Sequence, residues 1–278
     1  MDIETLISHL NYQESVAKAI QQTYSHSTQK IRDIAETAYA GEAFPLCHKS
    51  PLTRLGVVQH LLLSKYQEYK MLGICEDIIL DTFRDVSLRA NLYFETFNAA
   101  GLSKADVIWF RHLMKINLFK IGSLQFQPFN MIYLDEETIG EPYMVFEEAI
   151  KEALPSGAPV INCHIQQRAD LTPAAIESSW RRAASFFSCF FPKTQYQAFL
   201  CYSWLLYPKM LPHLSEPSNI KRFAEQFTII GSCADAQQAL EYLLPHAKQS
   251  LPKHATSLQK LAFERPDLFG YACGIRKL

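Results

Sequence analysis

Apolar positions recur at helical spacing through the first 116 residues. Residues 52–72 carry one such stripe, formed by Leu52, Leu55, Val58, Leu62, Tyr66 and Tyr69. A second stripe runs through residues 76–97, and Ser103 with Asp106 has the spacing of a capping box that opens another helix. The pattern predicts an all-helical N-terminal domain over residues 1–116.

The spacing changes to strand-like alternation near residue 118. Residues 119–137, FKIGSLQFQPFNMIYLDEE, predict two strands on either side of a turn at residues 128–130. Residues 143–154, YMVFEEAIKEAL, indicate a strand and then a helical turn. The segment PVINCHIQQ, residues 159–167, predicts a strand with Ile161 and Cys163 on one face and Asn162 and His164 on the other.

The remaining elements alternate between helix and strand. Thr172 and Pro173 mark a helix start, and Ser218 marks another. Ser232 and Asp235 have the spacing of a cap before the helix that follows them. Apolar strands are predicted around residues 196–206, 227–231 and 268–275. The fold class is therefore α+β, with residues 117–278 forming a mixed β-sheet domain flanked by helices.

Composition excludes several classes of protein. The 278 residues include 27 Lys and Arg against 28 Asp and Glu, so no overall positive charge attracts nucleic acid or an anionic membrane. The segment HAKQSLPKH, residues 246–254, is interpreted as a solvated basic surface. The seven cysteines are scattered without a CxxC pair, which favours free thiols over disulfides and predicts no metal site.

Membrane and export signals are also missing from the pattern. The start, MDIETLISHL, is acidic where a secretory signal is basic, and no apolar run reaches the ~18 residues of a membrane span. We therefore expect a cytoplasmic protein that acts on neither membranes nor nucleic acids. The pattern does not indicate an oligomeric state.

Several sequence blocks resemble one protein family. CYSWLLYP (201–208), LSEPSN (214–219), IKRF (220–223) and FTII (227–230) are similar to the GNAT-like C-terminal domain of a family of bacterial acyltransferases. KIGSLQFQ (120–127) resembles the first core strand of that domain, and the helical half resembles the N-terminal domain that accompanies it. The resemblance covers nearly the whole chain, and its motifs lie within residues 117–231.

The resemblance implies an acyl-CoA-dependent N-acyltransferase with a small amine as acceptor. In GNAT enzymes the loop after a central strand holds the CoA pyrophosphate, and the next strand splays away to admit the pantetheine arm. On this plan the residues expected to contact acyl-CoA are Gln167, Arg168, Ala169, Thr172 and Ser203. His164 is the candidate general base and Tyr202 the candidate acid that protonates the departing thiolate.

The same residues admit a second interpretation. No glycine occurs between Gly157 and Gly231, although the corresponding loop of the superfamily carries glycines that let the backbone approach a pyrophosphate. Asp170 also adds a negative charge beside the helix start. The alternative for His164 is a histidine hydrogen-bonded within the sheet, and for Tyr202 an interface aromatic residue; such positions more often have these structural roles. The alternative function is a catalytically inactive GNAT-like scaffold that binds a ligand or a protein.

Overall fold

The computed structural model describes residues 1–42, 44–244, 251 and 253–278. It divides into two compact units, an N-terminal unit of Met1–Ile121 and a C-terminal unit of Gly122–Leu278. The domain boundary after residue 116 stays a prediction. The basic segment 246–254 lies for the most part outside the described residues.

The N-terminal unit is helical, as the apolar spacing predicts. Its α-helices are α1 (Ile3–His9), α2 (Glu14–Thr37), α3 (Pro51–Met71), α4 (Glu76–Phe97) and α5 (Lys104–Met114). One short strand, β1 (Phe119–Ile121), follows them. The predicted stripe on α3 is buried from Leu55 through Tyr69. The stripe on α4 is buried from Ile79 to Ala90, whereas Phe97 at its end is exposed.

The start of α5 shows how the sequence sets a helix boundary. The Ser103 hydroxyl accepts the amide N–H of Asp106 at 3.1 Å, and the Asp106 carboxylate accepts the amide N–H of Ser103 at 2.9 Å. This is the predicted capping box. Arg89 holds the same carboxylate at 3.0 Å, so one ion pair ties α4 to the beginning of α5.

Ser103→Ala is expected to lower the free energy of unfolding by about 1 kcal/mol, because the Asp106 amide N–H in the first turn of α5 loses the hydroxyl that accepts it. Urea denaturation measures the change. Ser64→Ala, an exposed serine inside α3, is the matched control and is expected to be close to neutral. Equal losses in the two variants would contradict the assigned role of the cap.

The C-terminal unit alternates strands and helices in the predicted order. Its elements are β2 (Leu124–Asn130), α6 (Glu136–Ile139), α7 (Glu148–Ala153), β3 (Pro159–His164), α8 (Pro173–Phe190), β4 (Ala198–Ser203), α9 (Asn219–Ala224), β5 (Thr228–Cys233), α10 (Gln237–Leu243), α11 (Ser257–Glu264) and β6 (Tyr271–Lys277). The six-stranded sheet has the order β1-β2-β3-β4-β6-β5. Strands β3 and β4 are parallel, and the pairs β2–β3, β4–β6 and β5–β6 are antiparallel. The fold is α+β, as the sequence predicts.

Apolar side chains cover both faces of this sheet within the C-terminal unit. On the face that we call the front face, Val160, Leu200 and Cys273 pack against the segment between β2 and β3. Phe146 of that segment lies directly over β5, where a Cβ atom on Gly231 would come within 2.5 Å of its ring. On the back face the indole of Trp180, from α8, contacts the ring of Phe199.

Three predictions about local structure are wrong. The turn between the first two strands is not at residues 128–130: it falls at Gly122, whose φ of 65° is left-handed, and β2 runs through Pro128, which pairs with Ile161. Proline is tolerated where its missing N–H would face away from the neighbouring strand. Residues 143–146 form no strand, although Met144 and Phe146 are buried and Val145 is exposed. Burial alternates along this segment as it would along a strand, but the segment has no hydrogen-bonded neighbouring strand, so the sequence pattern alone could not tell the two apart.

The third correction concerns the start of α10. Ser232 lies in β5 and does not cap the helix. The Asp235 carboxylate alone accepts the amide N–H of Gln237 at 2.9 Å. By contrast, Ser218 caps α9 as predicted, accepting the amide N–H of Lys221 at 3.5 Å. All seven cysteines are free thiols, also as predicted.

Candidate functional site

Polar side chains occupy one end of the otherwise apolar front face. Gln125 pairs in register with His164, and Gln127 pairs with Asn162. Directly opposed residues of an antiparallel pair project to the same face, so these four side chains form one group, which we call the polar strip. Gln125 and Gln127 are only 1% and 4% exposed. Burying polar groups costs free energy unless they are hydrogen-bonded, so such a strip marks a candidate functional site.

His164 lies at the end of β3 and is half-buried. Its Nε2 atom is 3.0 Å from Oε1 of Gln127. Because an amide oxygen only accepts hydrogen bonds, this contact places the imidazole proton on Nε2 and fixes the tautomer. The lone pair of the neutral ring is then on Nδ1, the atom that would take up a proton.

Asn162 lies two residues before His164 on the same face of β3. Its side chain is buried, with 9% of the residue exposed. Among the described residues, Oδ1 of Asn162 has no hydrogen-bond partner. A buried acceptor without a partner is rare in folded proteins and carries a desolvation penalty.

The parallel strands β3 and β4 separate next to the polar strip. Their register consists of the pairs Ile161–Phe199 and Asn162–Leu200. Both strands continue beyond these pairs, to His164 and Ser203. Within the described chain the ladder therefore stops at Asn162, and we call the unpaired carboxyl ends of the two strands the gap.

The loop that follows β3 carries three of the predicted acyl-CoA contacts. Gln167 and Arg168 are exposed, and Ala169 is half-buried with its N–H donated to the Gln166 carbonyl at 3.2 Å. Arg168 has a φ of 64°, in the left-handed region that glycine adopts more readily than other residues. The loop thus reaches a turn conformation associated with glycine without containing one.

Helix α8 begins directly after this loop. Thr172 occupies the N-cap position and Pro173 the first turn, as predicted, but the Thr172 side chain makes no capping hydrogen bond within the part of the chain that the structure describes. First-turn N–H groups have no partner inside a helix and favour anions. Asp170 accepts the Thr172 amide N–H at 2.9 Å, and this hydrogen bond lowers the pKa of its carboxyl group.

Tyr202 and Ser203 lie at the end of β4, beside the gap. The Tyr202 hydroxyl donates to the Ile132 carbonyl at 2.7 Å, and burial raises the pKa of this hydroxyl well above its usual value. Ser203 projects to the opposite face and is buried, and its hydroxyl accepts the Leu205 amide N–H at 3.1 Å. The structure therefore brings Tyr202, but not Ser203, to the face that carries His164. The catalytic and acyl-CoA-binding roles of these residues stay predictions.

Sequence reasoning missed Gln125 and Gln127. Their alternation with Leu124 and Phe126 is typical of a strand with one solvent-exposed face, so they gave no signal of a buried polar group. The face of β2 that carries Gln125 and Gln127 continues with Phe129, which is apolar. This apolar residue is the one weak signal that the face is buried.

The described ranges contain no cluster of three or more His, Cys, Asp or Glu side chains arranged to hold a metal ion. Over the same ranges, no helix combines the length and the apolar character needed to cross a bilayer.

Solved structures with a similar fold are acyltransferases. One, an acyltransferase in complex with decanoyl-CoA and teicoplanin, has a TM-score of 0.75 at 18% identity, covering 99% of this chain and 87% of that one. A complex with decanoyl-CoA gives 0.74 at 17% identity, with 99% and 86% coverage. A complex with CoA and 10C-teicoplanin gives 0.73 at 17%, with 99% and 87% coverage. At this identity the likeness shows the fold.

Sequence comparison identifies the family. No curated protein sequence matches the chain. The family model described as the GNAT-like C-terminal domain matches residues 118–266, more than half of the chain. The sheet order, the separated parallel pair and the resemblance of the sequence blocks agree with this match. The chain belongs to the family of proteins with a GNAT-like C-terminal domain.

Proposed function

We propose that this protein transfers an acyl group from acyl-CoA to the nitrogen of a small amine. The observation that carries the proposal is the gap between β3 and β4, which opens beside the buried polar strip and next to the start of α8. Solved acyltransferases of the same fold bind decanoyl-CoA, which supports acyl-CoA as the co-substrate here.

The residues around the gap fit an acyl-CoA molecule. The first turn of α8 and the exposed Arg168 offer N–H donors and positive charge to a pyrophosphate. Gln167 and Ala169 belong to the loop between β3 and α8, and Thr172 ends it. The unpaired backbone edges of β3 and β4 offer hydrogen bonds to the pantetheine amides. The negative charge of Asp170 would repel the phosphates, but its carboxylate already accepts a hydrogen bond from the Thr172 amide N–H.

The bound acyl-CoA would supply a thioester whose carbonyl carbon accepts the amine lone pair and whose thiolate leaves. A new C–N bond forms as the C–S bond breaks, and the amine must lose one proton. In this proposal Nδ1 of His164 accepts that proton, while Gln127 keeps the ring oriented through Nε2. Tyr202 delivers a proton to the thiolate, which requires its O–H to leave the Ile132 carbonyl.

Decanoyl-CoA and acetyl-CoA are expected to stabilise the protein by about 2.7 kcal/mol when present at about 100 times the dissociation constant. Differential scanning fluorimetry measures the shift. Arg168→Ala is expected to weaken it, because the guanidinium group is placed to meet the pyrophosphate. Arg181→Ala, an exposed arginine farther along α8, is the matched control and is expected to leave the shift unchanged. No shift with either thioester at millimolar concentration would rule out the transferase.

The second candidate function is a scaffold that binds acyl-CoA or another ligand without catalysis. The hydrogen bond that occupies the Tyr202 O–H favours it, because an acid already donating to the backbone is poorly placed to protonate a thiolate. A thermal shift with acyl-CoA, together with no amine-dependent release of CoA, would identify the scaffold.

A further inference from the structure

A groove lies at the amino end of β3, at the opposite end of that strand from the gap. Its volume is about 400 Å³. Its walls are mostly apolar or ring side chains, among them Pro128, Phe129, Ile132, Pro159 and Tyr196. Pro159 opens β3 and His164 ends it, so about 16 Å of strand separate the groove from the proposed catalytic residues. The groove is therefore distinct from the candidate site described above.

The walls of the groove suit an uncharged ring. The Tyr196 ring stands at 81° to the Phe187 ring of α8, with the ring centres 5.3 Å apart, so this wall is fixed before any ligand arrives. Asn130 and Thr194 add an amide and a hydroxyl, and none of the described residues that line the groove is charged. Apolar walls with a few polar groups are typical of binding pockets.

The chain between β2 and β3 carries a concentrated negative charge. Residues 135–152, which we call the acidic segment, contain seven Asp and Glu against one Lys. Their net charge of −6 contrasts with −1 for the whole chain, so the remaining residues sum to +5. Lys151 lies 2.8 Å from the buried Asp135 and thus pairs chiefly with it. The other six carboxylates belong to exposed residues: Glu136, Glu137, Glu141, Glu147, Glu148 and Glu152.

Backbone contacts hold the acidic segment beside the groove. The segment begins three residues after Ile132, which lines the groove. The Met131 amide N–H donates to the Ala158 carbonyl at 2.8 Å, and the Tyr133 hydroxyl donates to the Leu154 carbonyl at 2.6 Å. The chain that leaves the groove and the chain that returns to it are thereby held together, and the acidic segment lies between them in sequence.

Apolar side chains are exposed on the same stretch of chain. Ile132 is 38% exposed, and Ile139 and Val145 of the acidic segment are 41% and 87% exposed. Exposed apolar side chains combined with charge of one sign are typical of a surface that binds another molecule.

Charge and shape together indicate the chemistry of that molecule. Exposed carboxylates repel the phosphates of nucleic acids and of anionic lipids, and they attract a cationic partner. The uncharged groove suits an aromatic side chain, because buried aromatic residues are common anchors of protein interfaces. A basic peptide segment with one aromatic residue meets both requirements.

We propose that the groove and the acidic segment form a docking surface for a protein partner that presents an aromatic side chain among lysines or arginines. This inference does not depend on the proposed acyltransferase function.

The probe is a pentapeptide with one tryptophan flanked on each side by two lysines, and isothermal titration calorimetry measures its binding to the full chain. We expect binding that about 1 M salt abolishes, because charges are then screened beyond ~3 Å. A peptide with glutamate in place of lysine should not bind. A peptide with serine in place of tryptophan should bind roughly tenfold or more weakly, the usual effect of losing one anchor.

Variants of the protein locate the binding. Ile132→Ser is expected to weaken binding of the lysine–tryptophan peptide by roughly tenfold, because the groove loses apolar contact. Phe263→Ser, which removes an exposed apolar side chain of α11, is the matched control and should bind like wild type. Both side chains are exposed, so both variants should unfold near the wild-type temperature.

A second pair of variants tests the charge. Glu148→Gln combined with Glu152→Gln should weaken binding about three- to tenfold. Glu241→Gln combined with Glu264→Gln removes two exposed carboxylates from α10 and α11 and should have little effect.

Four results would overturn the proposal. These are no binding at millimolar peptide, equal binding of the serine peptide, equal weakening by the control variants, and N-acetyltryptophanamide binding as tightly as the peptide. The last would assign the groove to small molecules. A variant that fails to fold leaves the comparison of peptides on the wild-type protein to decide.

Discussion

Replacing His164 with alanine is expected to reduce amine-dependent CoA release by roughly 10²–10⁴-fold, the usual contribution of a positioned general base. His164 is the imidazole of the polar strip, and its contact with Gln127 leaves Nδ1 as the proton acceptor. The side chain belongs to β3, whereas the proposed phosphate contacts come from the loop and α8. Acyl-CoA binding should therefore survive the substitution, and only turnover should be lost.

The measurement pairs steady-state CoA release with the acyl-CoA thermal shift for each variant. His164→Gln can still donate to Gln127 but cannot take up a proton, so it should fold like wild type and be as inactive as the alanine variant. His213→Ala removes an exposed histidine from the same unit and should retain wild-type turnover. A His164→Ala enzyme with nearly wild-type turnover would refute the base assignment and leave His164 as a residue of the sheet.

Most strands and helices of the C-terminal unit were predictable because each has a local cause. Pro173 and Thr172 fix the start of α8, and the alternation of residues 159–164 fixes which face of β3 carries His164. The order of strands and helices follows from these local rules. The family resemblance and the family match then lead to the same GNAT-like fold.

What could not be predicted depends on contacts distant in sequence. Propensity rules reserve positive φ mainly for glycine and asparagine, so the glycine-free loop argued against the turn that Arg168 in fact adopts. The same rules place Gln125 and Gln127 in solvent. Only their register with β3 shows that they are buried beside His164. The polar strip is therefore a tertiary feature, and half of it was missed.

The stability of the front-face site depends on the back face of the same strands. Trp180 of α8 is 2% exposed. Its ring contacts four phenylalanines of the C-terminal unit: Phe126, Phe199, Phe223 and Phe227. Its Nε1–H donates to Oε1 of Gln226 at 2.7 Å, and the Arg276 guanidinium lies 5.3 Å from the ring centre. One indole thus joins α8 to β2, β4 and the segment before β5.

Trp180→Ala is expected to lower the free energy of unfolding by about 3–5 kcal/mol, because it removes a large buried ring and leaves a cavity among aromatic neighbours. Urea denaturation followed by circular dichroism measures the loss. Trp180→Phe keeps most of the apolar contact and loses the hydrogen bond to Gln226, so its loss should be clearly smaller. Since β2 and β4 pack against this ring and β4 borders the gap, the alanine variant should also lose the acyl-CoA thermal shift that His164→Ala retains. An alanine variant as stable as the phenylalanine variant would show that the back-face cluster does not depend on the indole.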